Sequence, residues 1–259
     1  MNRYPLGIQT FEEIRKNNQY YVDKTDLIYN IAKGSKSNFL NRPRRFGKSL
    51  LVTTLQAYFE GKKDLFKGLA IDKLEKEWVK YPVIHLDLSL GKYYEIKLVH
   101  STLNAVLGFY EAKLGITVAE GTTYGTRLDE IIQTTAAQTG QKVVVLIDEY
   151  DAPMLDSNAK PELQEQIRSI MRDFFSPLKA NEGLLRFVFL TGITKFSQLS
   201  IFSELNNIKN YSLDDRYAAI CGFTEQELLD NFHEGINDLA LANGMTFDEA
   251  VEKLKEQYD

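Results

Sequence analysis

Two strongly apolar runs in the second half of the chain limit the folds that it can adopt. They are Val143–Ile147 (VVVLI) and Leu184–Leu190 (LLRFVFL). Strands of parallel sheets that are covered by helices on both faces carry such runs, whereas a sheet with one wet face alternates apolar and polar residues. Between the runs, residues 161–180 carry apolar side chains at helical spacing. The pattern predicts an α/β fold with a central, mainly parallel sheet between helices.

Weaker patterns extend this alternation of strands and helices toward the N-terminus. Ser37–Leu40 is a short strand candidate, and after the loop that follows it apolar residues recur at helical spacing. Val83–Leu88 reads as a further strand. An amphipathic segment over residues 94–114 and a Gly/Thr-rich turn near residues 121–125 follow it. These elements predict further βαβ units of the same sheet.

Helix-capping signals organise both ends of the chain. Thr10 and Glu13 predict a capping box and a short helix that ends near residues 16–18, and a second helix closes at Gly34. After the last strand, two Thr-x-x-Glu boxes open helices (Thr224 with Glu227, Thr246 with Glu249) and no strand follows. We expect three parts: an N-terminal helical cap segment (residues 1–36), an α/β core (37–220) and a small C-terminal helical subdomain (221–259).

Composition excludes several classes of protein. The 259 residues are 44% hydrophobic and 26% charged, with a net charge of −5, which argues against coating nucleic acid over the whole surface. A single cysteine allows no internal disulfide, and we see neither a signal peptide nor a long apolar segment. We therefore predict a cytoplasmic location without a membrane partner. One local basic cluster contains Lys33, Lys36, Arg42, Arg44, Arg45 and Lys48.

The basic cluster surrounds the motif NRPRRFGKSLL, which lies between a predicted strand and a predicted helix. Such a loop supplies backbone N–H groups and the positive end of a helix to a triphosphate. Lys48 would reach the β- and γ-phosphates, Ser49 would ligate Mg²⁺, and Gly47 would let the backbone approach the anion. The candidate nucleotide-binding residues are Arg44, Arg45, Phe46, Gly47, Lys48, Ser49 and Leu50.

The motif departs from the Walker A pattern GxxxxGK[ST] at its first position. Arg42, followed by Pro43, stands where that pattern has glycine, and neither residue readily takes a positive φ. We expect a loop entry of a different shape, nucleotide binding that survives, and slow turnover. Arg44 and Arg45 either stabilise phosphate charge or face solvent or a neighbouring subunit.

A second motif, KVVVLIDEYD, places acids at the end of a buried strand, where ligands bind in open α/β sheets. Asp148 is the candidate magnesium residue, and Glu149 is the candidate base that deprotonates the attacking water. The next strand ends at Thr191, which either senses the γ-phosphate or only satisfies the strand end. Tyr21, Asp23 and Lys24 either approach the adenine or only pack. His85, His100 and His233 show no zinc spacing, and Cys221 reads as a small buried residue.

The chain resembles the AAA-ATPase-like domain family. The likeness rests on YYVDKTDLI, NRPRRFGKSLL, VVVLIDEYDAPM, FLTGITKFSQLSIFSELNN and CGFTEQEL, in that order. The resemblance implies a bacterial P-loop NTPase of the AAA-related, additional-strand class that binds ATP with Mg²⁺ and carries a helical lid. Lys48, Ser49, Asp148 and Glu149 match the family's motif positions, and the family has arginine where this chain has Arg42.

The resemblance also implies partners. Family members are often fused at the C-terminus to a PD-(D/E)XK nuclease-like domain and continue past a Tyr-Asp pair such as Tyr258-Asp259. We therefore expect residues 221–259 to be part of a lid and the chain to be a fragment, with the lid arginine unassigned. The effector is this nuclease-like domain or a separate protein, and a nucleic acid would be contacted only indirectly. A homo-oligomer is compatible with these features.

Three functions follow from these motifs. The first is an ATPase whose hydrolysis drives a conformational change in the effector, with Glu149, Lys48 and Thr191 as catalytic residues. The second is a nucleotide-gated scaffold with negligible hydrolysis, which Arg42 and Pro43 favour. The third is a P-loop phosphotransferase, against which the water-activating position of Glu149 argues.

Overall fold

The computed structural model describes residues 4–157, 160–194 and 208–258. Within these ranges five strands form one parallel sheet in the order β2-β3-β4-β1-β5. The predicted α/β class with a parallel sheet between helices is confirmed. The strands are β1 (Ser37–Asn41), β2 (Val83–Asp87), β3 (Val143–Asp148), β4 (Leu185–Gly192) and β5 (Lys209–Asn210).

Helices connect and cover these strands. They are α1 (Phe11–Lys16), α2 (Thr25–Lys33), α3 (Lys48–Phe59), α4 (Ala70–Leu74), α5 (Ile96–Leu114), α6 (Tyr124–Thr139), α7 (Ala152–Asp156), α8 (Pro161–Phe175), α9 (Pro177–Ala180), α10 (Glu225–Ala242) and α11 (Phe247–Tyr258). Short 3-10 helices lie at Lys63–Phe66, Leu88–Leu90 and Asp215–Ile220.

Strand β4 lies between β1 and β3. It pairs with β1 through Phe39 and Leu190, and with β3 through Val145 and Val188. A strand inserted between the loop-bearing strand and the acid-bearing strand is the arrangement that the resemblance implies. Because all of these strands are parallel, their carboxyl ends meet at one edge of the sheet. The segments that leave β1, β4 and β3 are therefore neighbours there.

The apolar run of β3 faces two different cores, which explains why it does not alternate. Val143, Val145 and Ile147 pack with residues of α5, α6 and α8, whereas Val144 and Leu146 pack with residues of α1, α2 and α3. Complete burial of each aliphatic side chain stabilises the folded state by about 1.5 to 3 kcal/mol. Strand β3 is thus held from both faces, and its carboxyl end is a rigid platform for the acids that follow.

Helix α1 starts where it was predicted, but the hydrogen bond at its first residue differs from the predicted one. Thr10 precedes the helix, and its side chain makes no capping hydrogen bond. The backbone N–H of Phe11 instead donates to the hydroxyl of Thr53 on α3, at 3.1 Å. The predicted capping box is therefore wrong, and the first N–H group of the helix is satisfied by a side chain from a neighbouring helix.

The chain divides into two compact units, Met1–Cys221 and Gly222–Asp259. The second unit consists of α10 and α11, which share a small core of Ile236, Ala240 and Ala250. Both predicted capping boxes of this unit are confirmed. Thr224 and Glu227 exchange hydrogen bonds at the start of α10, and Thr246 and Glu249 do so before α11.

Several elements differ from the sequence-based expectations. Helix α6 begins within the predicted turn, at Tyr124, where the Thr123 side chain accepts from the Thr126 backbone. The helical pattern over residues 161–180 is two helices, because Pro177 starts α9 directly after α8. Helix α7 and strand β5 had no predicted counterpart. Residues 195–207, which carry most of the motif FLTGITKFSQLSIFSELNN, lie outside the described residues.

Candidate functional site

The loop between β1 and α3 presents its backbone at the carboxyl edge of the sheet. Gly47 precedes α3 with a φ of 86°, a left-handed conformation that only glycine adopts without steric cost. Arg45 also has a positive φ, of 67°. The loop therefore makes its left-handed turns at these two residues, and neither Arg42 nor Pro43 takes a positive φ.

Arg42 is an anchor at the entry of the loop. Its guanidinium donates to the backbone oxygens of Asn41 at 3.0 Å, Ser212 at 3.1 Å and Tyr217 at 3.1 Å. Its backbone N–H donates to Gly192 O at 3.1 Å. A rigid fork of donors suits several carbonyl acceptors at once. The arginine that replaces the Walker glycine thus ties the loop to the segment after β5.

The first residue of α3, Lys48, is buried and fully engaged. Its Nζ donates to the backbone oxygens of Arg42 and Pro43, each at 3.1 Å. The same atom lies 3.0 Å from Glu149 Oε1. Only 3% of the Lys48 side chain is exposed, so the ammonium has exchanged water for three protein oxygens.

Glu149 follows β3 in a left-handed conformation, with a φ of 51°. Non-glycine residues in this region carry strain and occur often at functional sites. Burial raises the pKa of the Glu149 carboxyl above its usual value, and the hydrogen bond from Lys48 opposes this change without cancelling it. The carboxylate therefore holds a proton more tightly than an exposed glutamate does, as suits a base.

Asp148 and Thr191 meet at the ends of β3 and β4. The Thr191 hydroxyl donates to Asp148 Oδ1, and both side chains are buried. The same carboxylate oxygen accepts the backbone N–H of Glu149 at 3.1 Å. These bonds fix the orientation of the Asp148 carboxylate. Thr191 was predicted either to sense phosphate or to satisfy the strand end, and its observed contact is with the acid.

The other loop residues differ in exposure. Arg44, Arg45 and Phe46 are exposed, and no side-chain partner of the two arginines appears among the described residues. Ser49 lies half-buried in the first turn of α3. The Leu50 side chain packs against the core beneath the loop. A nucleotide contact from Leu50 would therefore come from its backbone.

The donor set at this edge fits magnesium. Mg²⁺ in nucleotide sites is usually held by one or two carboxylates or hydroxyls, with phosphates and water completing the octahedron. The Asp148 carboxylate and the Ser49 hydroxyl are such oxygens. In the described ranges, no group of three or more His, Cys, Asp or Glu side chains is arranged to hold a metal ion. The donor set thus suits an ion that arrives with phosphate oxygens.

Sequence reasoning missed two residues beside Glu149. Asp151 is completely buried, and its Oδ2 accepts the backbone N–H groups of Ile193 and Thr194. The Tyr150 hydroxyl donates to Thr194 O at 3.1 Å. The available signal was the second aspartate of DEYD, which follows the strand too closely to be a free surface residue.

The N-terminal motif makes packing contacts. Asp23 accepts the backbone N–H of Thr25 at 2.9 Å and that of Ala70 at 2.7 Å. The Lys24 ammonium donates to Ala219 O. Cys221 is buried, and its burial raises the pKa of the thiol to about 11. None of the helices in the described ranges combines the length and apolar character that crossing a bilayer requires.

Comparison with known proteins gives the chain its family. The family described as "Predicted AAA-ATPase" matches residues 5–202. An uncharacterized protein in the vnfD 5' region of Azotobacter chroococcum mcd 1 is 38% identical over 227 residues, which are 87% of this chain and 44% of the relative. The chain thus spans less than half the length of that relative.

A solved structure, the ORC2 protein of Aeropyrum pernix in ADPNP-ADP complexes, aligns with 96% of this chain and 67% of its own length. Its TM-score is 0.39 and its sequence identity 13%. The family match spans residues 5–202, which contain both the Lys48 loop and the acids at the end of β3. The chain belongs to the AAA-ATPase-like family of predicted AAA-ATPases.

Proposed function

We propose that this chain binds ATP with Mg²⁺ where β1, β4 and β3 end, and hydrolyses it with Glu149 as the general base. The observation that carries the proposal is the 3.0 Å contact between Lys48 Nζ and Glu149 Oε1. The contact supports the proposal because it brings an ammonium that could bind phosphate next to a carboxylate that could activate water. A P-loop ATPase needs both groups next to the γ-phosphate.

Binding would use the loop backbone, the positive end of α3 and the Lys48 ammonium. The N–H groups of residues 44–49 are offered to the phosphates, and the helix N-terminus favours negative charge. The side chains of Arg44 and Arg45 would contact phosphate oxygens, since both are exposed. Ser49 and Asp148 would hold the magnesium ion, which neutralises charge on the phosphates when bound.

Hydrolysis would begin when Lys48 exchanges Glu149 for phosphate. In the structure the ammonium is shared by three oxygens, and Glu149 is one of them. Phosphate oxygens compete for the same three donors. As the ammonium turns to the nucleotide, the Glu149 carboxylate is released to orient a water molecule and to take its proton. Thr191 keeps the Asp148 carboxylate in place during this exchange.

The test is nucleotide binding and phosphate release by the wild-type chain and by Glu149→Gln. Wild type should bind ATP more tightly with Mg²⁺ than without it and release phosphate. Glu149→Gln should bind ATP yet release phosphate about 100-fold more slowly, because a general base contributes about 10²-fold or more. Glu182→Gln is the matched control, since Glu182 forms an exposed ion pair with Lys36 at 3.2 Å. Equal phosphate release by Glu149→Gln and wild type would remove Glu149 from the base role.

A second function, a nucleotide-gated scaffold, is favoured by the same ion pair. As long as Lys48 holds Glu149, the base is engaged, and hydrolysis is slow even when ATP is bound. Tight Mg²⁺-dependent ATP binding without phosphate release would select this function over the ATPase. In either case we propose that nucleotide state is passed to an effector, either a C-terminal nuclease-like domain or a separate protein, in a monomer or a homo-oligomer. Residues 222–259 are proposed to be part of a lid.

A further inference from the structure

We propose that Asp151 is a positioning residue for the magnesium-holding carboxylate. By fixing the backbone where β4 ends, it keeps Thr191 in hydrogen-bonding contact with Asp148. This inference rests on the proposed function, because Asp148 matters only if the site takes a magnesium–nucleotide complex. Asp151 itself would touch neither nucleotide nor metal.

The contacts of Asp151 all lead to the end of β4. Its Oδ2 accepts the backbone N–H of Ile193 at 2.9 Å and that of Thr194 at 2.5 Å. A carboxylate that accepts two backbone donors forms strong, directional, charge-assisted bonds. Ile193 and Thr194 directly follow β4, so these bonds set the path of the chain immediately after Thr191 and Gly192.

Tyr150 adds two bonds to the same segment from the residue before Asp151. Its backbone N–H donates to Thr191 O at 2.9 Å, and its hydroxyl donates to Thr194 O at 3.1 Å. Residues 150 and 151 thus hold Thr191 itself and the chain that follows Gly192. The segments that leave β3 and β4 form one hydrogen-bonded unit, which contains the bond from Thr191 to Asp148.

Gly192 shows how closely the two segments approach. A Cβ atom built there would lie 2.5 Å from two ring atoms of Tyr150 and 2.6 Å from Asp151 Oδ1. No side chain fits in this space, so glycine is needed for the contact. Because Gly192 directly follows Thr191, this close packing links the position of Asp151 to that of Thr191.

A buried carboxylate is costly, and this one is incompletely satisfied. Asp151 is completely buried, and its Oδ1 has no hydrogen-bond partner among the described residues. Desolvation of a charged group generally outweighs what two hydrogen bonds return, so a residue of this kind is weak evidence for stability alone. The charge is better explained by the need for an acceptor that fixes two adjacent N–H groups at the site.

The experiment measures ATP affinity with Mg²⁺ and with EDTA, and takes their ratio as the magnesium effect. Asp151→Ala removes the acceptor, and we expect its magnesium effect to fall about tenfold while its affinity in EDTA stays within about threefold of wild type. Asp151→Asn should keep most of the effect, because an amide oxygen can still accept both N–H groups. Tyr150→Phe removes the hydroxyl that donates to Thr194 O and should lower the effect about threefold.

The matched control is Asp173→Ala. Asp173 likewise accepts a backbone N–H, that of Gly125 at 2.8 Å, and a hydroxyl, that of Thr123 at 3.0 Å, but it joins α8 to the start of α6. We expect its magnesium effect to equal that of wild type. If Asp151→Ala does not fold, Tyr150→Phe carries the test, since it keeps both bonds of Asp151 to the backbone, and Asp151→Asn serves as the variant that should keep the effect.

The outcomes separate this inference from the proposed function. A wild-type magnesium effect without phosphate release defeats hydrolysis, while a lower magnesium effect in Asp151→Ala and in Tyr150→Phe still supports positioning. Normal hydrolysis by wild type, with the same magnesium effect as wild type in Asp151→Ala and Tyr150→Phe, overturns the positioning role alone. An equal loss in Asp173→Ala, or a wild type without any magnesium effect, overturns it as well.

Discussion

The Nζ atom of Lys48 lies 3.0 Å from Oε1 of Glu149, which joins the loop after β1 to the acids after β3 across the end of β4. The ion pair is largely buried, with 3% of the Lys48 side chain and 18% of the Glu149 side chain exposed. In the proposed function, phosphate would compete with this carboxylate for the ammonium. The ion pair would therefore oppose ATP binding and keep the base engaged until the nucleotide displaces it.

Neutralising the partner of Lys48 should strengthen ATP binding. In Glu149→Gln the amide attracts the ammonium less strongly and no longer repels the triphosphate, so we expect ATP affinity to rise about three- to tenfold. Equilibrium titration with ATP and Mg²⁺ measures the change, and Glu182→Gln should leave the affinity unchanged. Weaker binding by Glu149→Gln would show that Lys48 and Glu149 do not compete with the nucleotide.

As the pH is lowered, hydrolysis should be lost at a higher pH than it would be if the base were an exposed glutamate. Burial raises the pKa of Glu149, and only the deprotonated carboxylate can accept a proton from water. As the pH falls through this raised pKa, the base is protonated and kcat decreases; above it, the base is fully active. Phosphate release measured from about pH 5 to about pH 9 should show this acidic limb above the usual glutamate pKa. A flat profile at constant secondary structure would contradict it.

Restoring the Walker glycine should damage the protein. Arg42→Gly removes the guanidinium bonds to Ser212 O and Tyr217 O, and we expect unfolding free energy to fall by about 1 to 3 kcal/mol. ATP binding should weaken too, because the loop loses its anchor. Chemical denaturation and ATP titration measure both effects. The stability and ATP affinity of Arg42→Lys should lie between those of Arg42→Gly and wild type, since a single ammonium replaces several guanidinium donors. Tighter ATP binding by Arg42→Gly would contradict the anchoring role.

Thr191→Val should affect the site more than the fold. The change keeps the shape of the side chain but leaves Asp148 Oδ1 with one donor fewer, which should cost about 1 to 3 kcal/mol of unfolding free energy. We also expect a higher magnesium requirement, because the carboxylate is less well oriented. Thr102→Val, which removes a hydroxyl bonded to Leu98 O on α5, is the control. The same magnesium requirement in both variants would place Thr191 outside the site.

Gly192→Ala should destabilise the first unit. The added methyl would overlap the Tyr150 ring, and overpacking of a dense interior costs about 1 to 3 kcal/mol. Gly183→Ala is the control, because a Cβ there meets no atom within 4 Å. Thermal or chemical unfolding distinguishes the two. Equal stability of the two variants would mean that the segments after β3 and β4 separate easily.

Much of the fold could be predicted because its signals are local. The apolar runs of β3 and β4, the helical spacing after Lys48 and the capping boxes at Thr224 and Thr246 each report the burial or hydrogen bonding of their own segment. Helix α6 escaped prediction because its start was read as part of a turn. The capping box at Thr10 is not formed, and the start of α1 is instead held by Thr53, a residue distant in the chain.

The sequence by itself determined the class of the fold and the types of residue at the candidate site, since both follow from spacing along the chain. Only the tertiary structure decided what those residues touch. The pairing of β1 and β3 with β4 brings Lys48 to Glu149 and Thr191 to Asp148, and it gives Arg42 and Asp151 backbone partners that no spacing reveals. The physical reason is that such contacts depend on the alignment of separate strands and on backbone angles such as that of Glu149, which chain order does not encode locally.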